Sequence, residues 1–167
     1  MPKGQLDPRV MESLEKHSLW LKGDPRGECI NLSGLEISDV DLSGFDLRRA
    51  IMHDVSLKST SFNSADLRGA VISWSLMNDC NIDGALLLGA DLTWTDTAGT
   101  APAYPVAPGD LVTVLDGSDT PGLLISFLRS PRSQFDRKGR YERVEVLLPD
   151  GQRISRQSAH VIPSDLQ

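Results

Sequence analysis

Three histidines, His17, His53 and His160, are the side chains best suited to proton transfer near neutral pH, and they fall far apart in the 167-residue chain. Carboxylates are more numerous in the middle, where Glu36, Asp41 and Asp46, and later Asp91 and Asp96, recur five residues apart among Asn, Ser and Gly. Paired carboxylates can perform acid–base hydrolysis. A regular spacing among turn-forming residues is instead the mark of a hydrated outer surface. The sequence has no Gly-rich phosphate loop, no Cys-x-x-Cys pair, no His-Glu-x-x-His and no Gly-x-Ser-x-Gly elbow. Each histidine reads as a surface or capping residue, and the expectation is a protein that is not an enzyme and holds no cofactor or metal. A third cluster has binding chemistry. Arg129, Arg132, Arg137, Lys138, Arg140 and Arg143 oppose only Asp136 and Glu142 over residues 129–143, a net charge of +4. With Phe135 and Tyr141 for stacking, such a loop could grip nucleic acid, an acidic protein or the acidic wall of a neighbouring copy. A long solvated hairpin has the same composition.

The elements that must position these groups follow from one period. Apolar residues stand at every fifth position: Leu32, Ile37, Leu42, Leu47, Met52, Leu57, Phe62, Leu67, Ile72, Met77, Ile82, Leu87 and Leu92. Five fits neither the 3.6 of a helix nor the 2 of a flat strand, so the chain must turn a corner every few residues. Two residues before each lies a second column, which runs from Ile30, Leu35, Val40 and Phe45 through Ala50, Val55, Thr60, Ala65, Ala70, Ser75, Cys80 and Ala85 to Ala90. Between the columns come turn formers, as in Ala65-Asp66-Leu67-Arg68-Gly69.

This pattern resembles the pentapeptide-repeat family. The resemblance implies four five-residue sides per coil of a right-handed quadrilateral β-helix, with both columns pointing inward. Residues 30–97 are expected to form this rod, about 15 Å long at strand-like stacking. The first four residues of the second column exceed the family's usual Ala, so a wider or distorted first coil is expected. Residues twenty apart then become vertical neighbours: Trp74 lies beneath Trp94 and Ile51 beneath Val71, all on one wall. That outward apolar patch predicts either a partner or cover from the C-terminal part of the chain. Leu76, Leu86 and Leu88 add apolar outward positions in the same late coils.

The flanks complete the expected fold class: mainly β, a short β-helix with an N-terminal capping helix plus a small SH3-like β-barrel. Asp7-Pro8 is an N-cap and first-turn pair, and Val10, Leu14, His17 and Leu21 keep helical spacing up to Gly23. Residues 1–29 are thus expected to cap the open end of the rod. Residues 98–109, rich in Pro, Ala and Gly, read as a linker. In residues 110–167, five β-prone runs separated by Asp116-Gly117, Pro121-Gly122 and Pro149-Asp150-Gly151 turns resemble SH3-like barrels.

Charge sharpens the functional expectation. Both flanks are neutral, and the net −6 of the chain comes from ten acids against four bases in the rod. The leading expectation is an interaction module without enzymatic activity, present in the cytoplasm at synthesis or in a virion, where it would act as a capsid or tail accessory protein. Its partners would be copies of itself or a capsid or tail protein, with no membrane partner. The family resemblance also implies an alternative, mimicry of duplex DNA toward an enzyme such as gyrase. Against it, a rod of about 15 Å matches under half of one ~34 Å duplex turn. Cys29 and Cys80 are expected as reduced thiols.

Overall fold

The computed structural model describes residues 6–100, 103–104, 108–116, 120–128 and 143–164. Helix α1, Pro8–Leu21, begins where the Asp7 carboxylate accepts the Arg9 backbone N–H at 2.8 Å, with Pro8 in the first turn. It ends at Gly23, whose φ of 75° suits glycine and whose N–H bonds the Trp20 carbonyl. Val10 and Leu14 join the rod's core cluster, so the helix covers one open end of the coil. Beside them His17 is fully buried, and its Nδ1 accepts the N–H of Ile30 at 3.1 Å. That bond satisfies a donor of the first coil that has no coil beneath it. Of the two roles the sequence allows, surface or capping, His17 takes the capping one.

The rod obeys a register of twenty. Parallel bridges join Asn31 to Ile51, Ile51 to Val71 and Val71 to Asp91 on one wall, and Glu36, Ser56, Leu76 and Asp96 on the next. Asp41, Ser61 and Asn81 make a third wall, and Asp46, Asp66 and Leu86 a fourth. Each side exchanges backbone bonds with the coil above it, as in Leu47 N–H to Asp66 O at 2.8 Å and Arg49 N–H to Arg68 O at 3.0 Å. The five-residue column from Leu32 to Leu92 is buried throughout.

The second column is buried with it from Ala50 onward. In the first coil only Ile30 is fully buried. Val40 and Phe45 are half-buried, and Leu35 is 46% exposed. Polar members of the column bond inward to backbone. The hydroxyls of Thr60 and Ser75 donate to the carbonyls of Ile37 (2.9 Å) and Met52 (2.8 Å), and those of Thr95 and Thr100 donate to Ile72 and Met77. The Cys80 thiol does the same toward Leu57 and is a free cysteine whose burial pushes its pKa up to about 11. Coil bonding continues past residue 97: Asp79 N–H reaches Ala98 O, Gly84 N–H reaches Ala103 O, and Ala103 is buried in the core.

The C-terminal part is one antiparallel sheet of β1 (Leu111–Val114), β2 (Thr120–Leu128), β3 (Arg143–Leu147), β4 (Arg153–Gln157) and β5 (Val161–Pro163). Its order is β4-β3-β2-β1-β5. The expected barrel is not closed: β4 and β5 stand at opposite edges, and among the described residues no ladder joins them. Pro121-Gly122, expected as a turn, lies within β2 opposite Thr113 and Val112. Gly122 is needed there because a Cβ would run into the Val146 side chain. Val112, Val114, Leu124, Val144, Val146 and Val161 form the sheet's own core, while Leu115, Ala159 and Ile162 join that of the rod. An antiparallel bridge of Asp91 with Asp116 and a Leu92 N–H to Leu115 O bond fix this second cap. The molecule is mainly β with one short helix, and the rod is covered at both ends.

Candidate docking face and junction cleft

The wall built from residues 30–34, 50–54, 70–74 and 90–94 carries the feature that stands out. Trp74 and Trp94 stack with ring centroids 5.7 Å apart and planes 32° apart, and they remain 60% and 73% exposed. Both occupy the corner position of their side, with φ of 61° and 59°. At the equivalent corners the chain places mostly Gly, Asp or Ser: Gly34, Asp39, Gly44, Asp54, Ser59, Ser64, Gly69, Asp79, Gly84, Gly89 and Gly99. A bulky residue with positive φ is a steric outlier costing about 1–2 kcal/mol relative to the right-handed region. Arg49 shares this conformation on another wall (φ 62°), whereas on this wall two such residues stand on consecutive coils, both aimed at solvent. Ile51 (38% exposed) and Val71 (36%) are bridged to each other on the same wall.

The remaining apolar positions are not brought to this wall. Leu76 stacks with Ser56 and Asp96 on the next wall, Leu86 stacks on Asp66 on the fourth, and half-buried Leu88 belongs to that fourth side. Of the basic cluster, Arg129, Arg132, Arg137, Lys138 and Arg140 lie outside the described residues, as do Phe135 and Tyr141. Arg143 opens β3, where its guanidinium donates to the Ser155 hydroxyl (2.9 Å) and carbonyl (3.1 Å).

Arg143 also lines a cleft of about 430 Å³ where the last coil meets the sheet, together with Trp94, Asp96, Asp116, Arg156 and His160. Gln157 staples the two sides. Its amide oxygen accepts the N–H and hydroxyl of Thr97, both at 2.8 Å, and its NH₂ donates to Asp96 at 2.9 Å. Burial raises the Asp96 pKa, but hydrogen bonds from Gln157 and Asn78 outweigh it and hold the carboxyl below its usual range. His160 is 8% exposed, and burial followed by the Arg156 charge pushes its pKa down to about 4. Of the two roles the sequence allows, surface or capping, the surface one does not apply, because the docking of the sheet on the rod buries it. Arg156, Gln157 and Ser155 carried no signal in the sequence, because the sheet–rod junction alone brings them to Trp94.

The acidic wall is largely neutralised. Arg48 holds Asp46 bidentately at 2.8 and 2.7 Å, and Arg68 holds Asp66 at 2.9 and 2.6 Å. The pairs close within one side of the coil, with a longer Arg48–Asp66 contact of 3.6 Å between coils. The Arg48 hydrogen bond leads in lowering the Asp46 pKa. His53 stays exposed, with its Nδ1 3.1 Å from the Ser73 hydroxyl. Among the described residues no group of three or more His, Cys, Asp or Glu is placed to hold a metal ion, and no helix is long and apolar enough to cross a membrane.

Residues 36–73 match the family model of pentapeptide repeats, in eight copies. Solved structures similar to this chain are themselves pentapeptide repeat proteins. One comes from the Arabidopsis thaliana thylakoid lumen, at 23% identity over 44% of this chain and 70% of that chain, with a TM-score of 0.37. Rfr23 of the cyanobacterium Cyanothece is 22% identical over 47% of this chain and 63% of that one, with a TM-score of 0.31. HetL of the cyanobacterium Nostoc, described as involved in heterocyst differentiation regulation, is 24% identical over 39% of this chain and 35% of that one, with a TM-score of 0.22. No curated protein matches the sequence.

Proposed function

We propose that this protein is an interaction module without enzymatic activity that docks a protein partner on the Trp74/Trp94 wall. Pentapeptide repeat proteins are in general non-enzymatic interaction modules. The observation that carries the reading is the pair of solvent-facing indoles held at strained corners of a rigid rod. Exposed tryptophans at a preorganised site are the residues most often dominant in protein interfaces. Setting such a module in an assembly, as a capsid or tail accessory protein of a phage, would use its two joined rigid pieces as a staple. The alternative, mimicry of DNA toward an enzyme such as gyrase, is less well supported, since Arg48 and Arg68 neutralise Asp46 and Asp66, and the mimic would need those charges free.

The test is affinity capture from an extract of the source cells with the wild type and with W74S/W94S. Serine already occupies this corner at Ser59 and Ser64, so the variant retains the coil. Partners retained by the wild type through 0.5 M salt and lost by the variant support the reading. Identical partners on both proteins would refute it.

A further inference from the structure

Two arginines in the junction cleft have spare binding capacity. Arg143 and Arg156 both point donors at Ser155, and among the described residues most of their N–H groups have no other acceptor. Among the described residues neither has an ion-pair partner; the nearby bridge on the sheet is Arg153 with Glu145. The two guanidiniums converge on one carbonyl oxygen, that of Ser155, each at 3.1 Å, while Asp96 on the same cleft is held by Gln157. Trp94 stands at the same cleft, continuous with Trp74 on the wall below.

We propose that this cleft receives a carboxylate-bearing segment of the protein partner, with Arg143 and Arg156 holding the carboxylate while a neighbouring aromatic side chain of that segment packs on Trp94 and Trp74. The assignment rests on the docking wall proposed above and names the chemistry of its partner. Charge complementarity selects the occupant. A planar guanidinium accepts a carboxylate in bidentate fashion, and two of them beside an aromatic surface favour an acidic residue next to an aromatic one. A nucleic-acid strand is disfavoured, because a run of successive phosphates needs a run of cations and the described lining of the cleft offers two.

The experiment is a calorimetric titration of the full chain with three probes: an octapeptide alternating aspartate and phenylalanine, its counterpart with asparagine for aspartate, and a twelve-nucleotide oligothymidylate. The proteins are the wild type, R143Q/R156Q, R143K/R156K and W74S/W94S. The wild type should bind the acidic peptide at least tenfold more tightly than the neutral one, a preference that R143Q/R156Q abolishes and R143K/R156K keeps in part. W74S/W94S should weaken both peptides. Equal binding of the two peptides, no binding of the acidic one, or tighter binding of the oligonucleotide would each overturn the proposal. So would a wild-type dimer that R143Q/R156Q dissolves, since the cleft would then be filled by a second copy. If W74S/W94S alone weakens binding, the docking wall stands and this inference fails.

Discussion

Acidification should loosen the joint between rod and sheet through one residue. His160 is neutral in the fold, with a pKa of about 4 against 6.5 in the unfolded chain. The groups acting on it are Arg156 and Arg143, which oppose its protonation, and the Thr95 carbonyl and Asp96, which favour it; burial is the largest influence. A basic group whose folded pKa is depressed contributes stability that is complete above the unfolded value and is lost as pH falls toward the folded one. The window is therefore pH 6.5 down to about 4. A shift of this size corresponds to about 3 kcal/mol for a nearly fully buried group. The assay is urea unfolding of wild type and H160Q at pH 7, 6, 5 and 4.5. His17, whose pKa burial also lowers, titrates in both proteins and cancels in the comparison. The stability difference between the two proteins should shift by about 2–3 kcal/mol toward the variant across the window. A difference that stays constant with pH would refute the reasoning, because it would mean that His160 is either exposed or already charged in the fold.

Other substitutions probe the frame. Phe62→Ala empties a fully buried slot in the middle of the column and should cost about 3–5 kcal/mol by denaturant unfolding. Ser75→Ala strands the buried Val55 N–H and Met52 carbonyl, a cost of about 1–3 kcal/mol read by the same method. Gly27→Ala puts a Cβ onto the Trp20 backbone and should release α1, seen as loss of helical signal in far-UV circular dichroism with the coil retained. Asp7→Ala removes the cap of α1 at about 1 kcal/mol, with faster amide exchange in its first turn.

Much of this architecture was legible because the rod is one-dimensional. A period of five marks which side chains are inside, and the four sides per coil that the family resemblance implies say which are stacked, so the Trp74–Trp94 contact follows from the two together. The five strands were legible too, apart from the start of β2, where Pro121-Gly122 reads as a turn but serves the close approach of Val146. Thr95 and Thr100 escaped the pattern since they lie beyond Leu92, where the apolar column that marks the coil stops, although each bonds inward as Thr60 and Ser75 do. Leu35 deceived in the opposite sense: an apolar residue in phase with the column is nonetheless exposed. The junction cleft was illegible. Arg143, Arg156 and His160 meet Trp94 only because Leu115, Ala159 and Ile162 complete the rod's core, a long-range packing event with no local signature.

Hydrogen–deuterium exchange of the protein, alone and bound to its captured partner, tests most directly which wall docks. The account predicts slower exchange at residues 71–74, 91–94 and 154–157, with the wall of Asp46 and Asp66 unchanged. Protection centred on residues 46–49 and 66–69, with none around the two tryptophans, would contradict it.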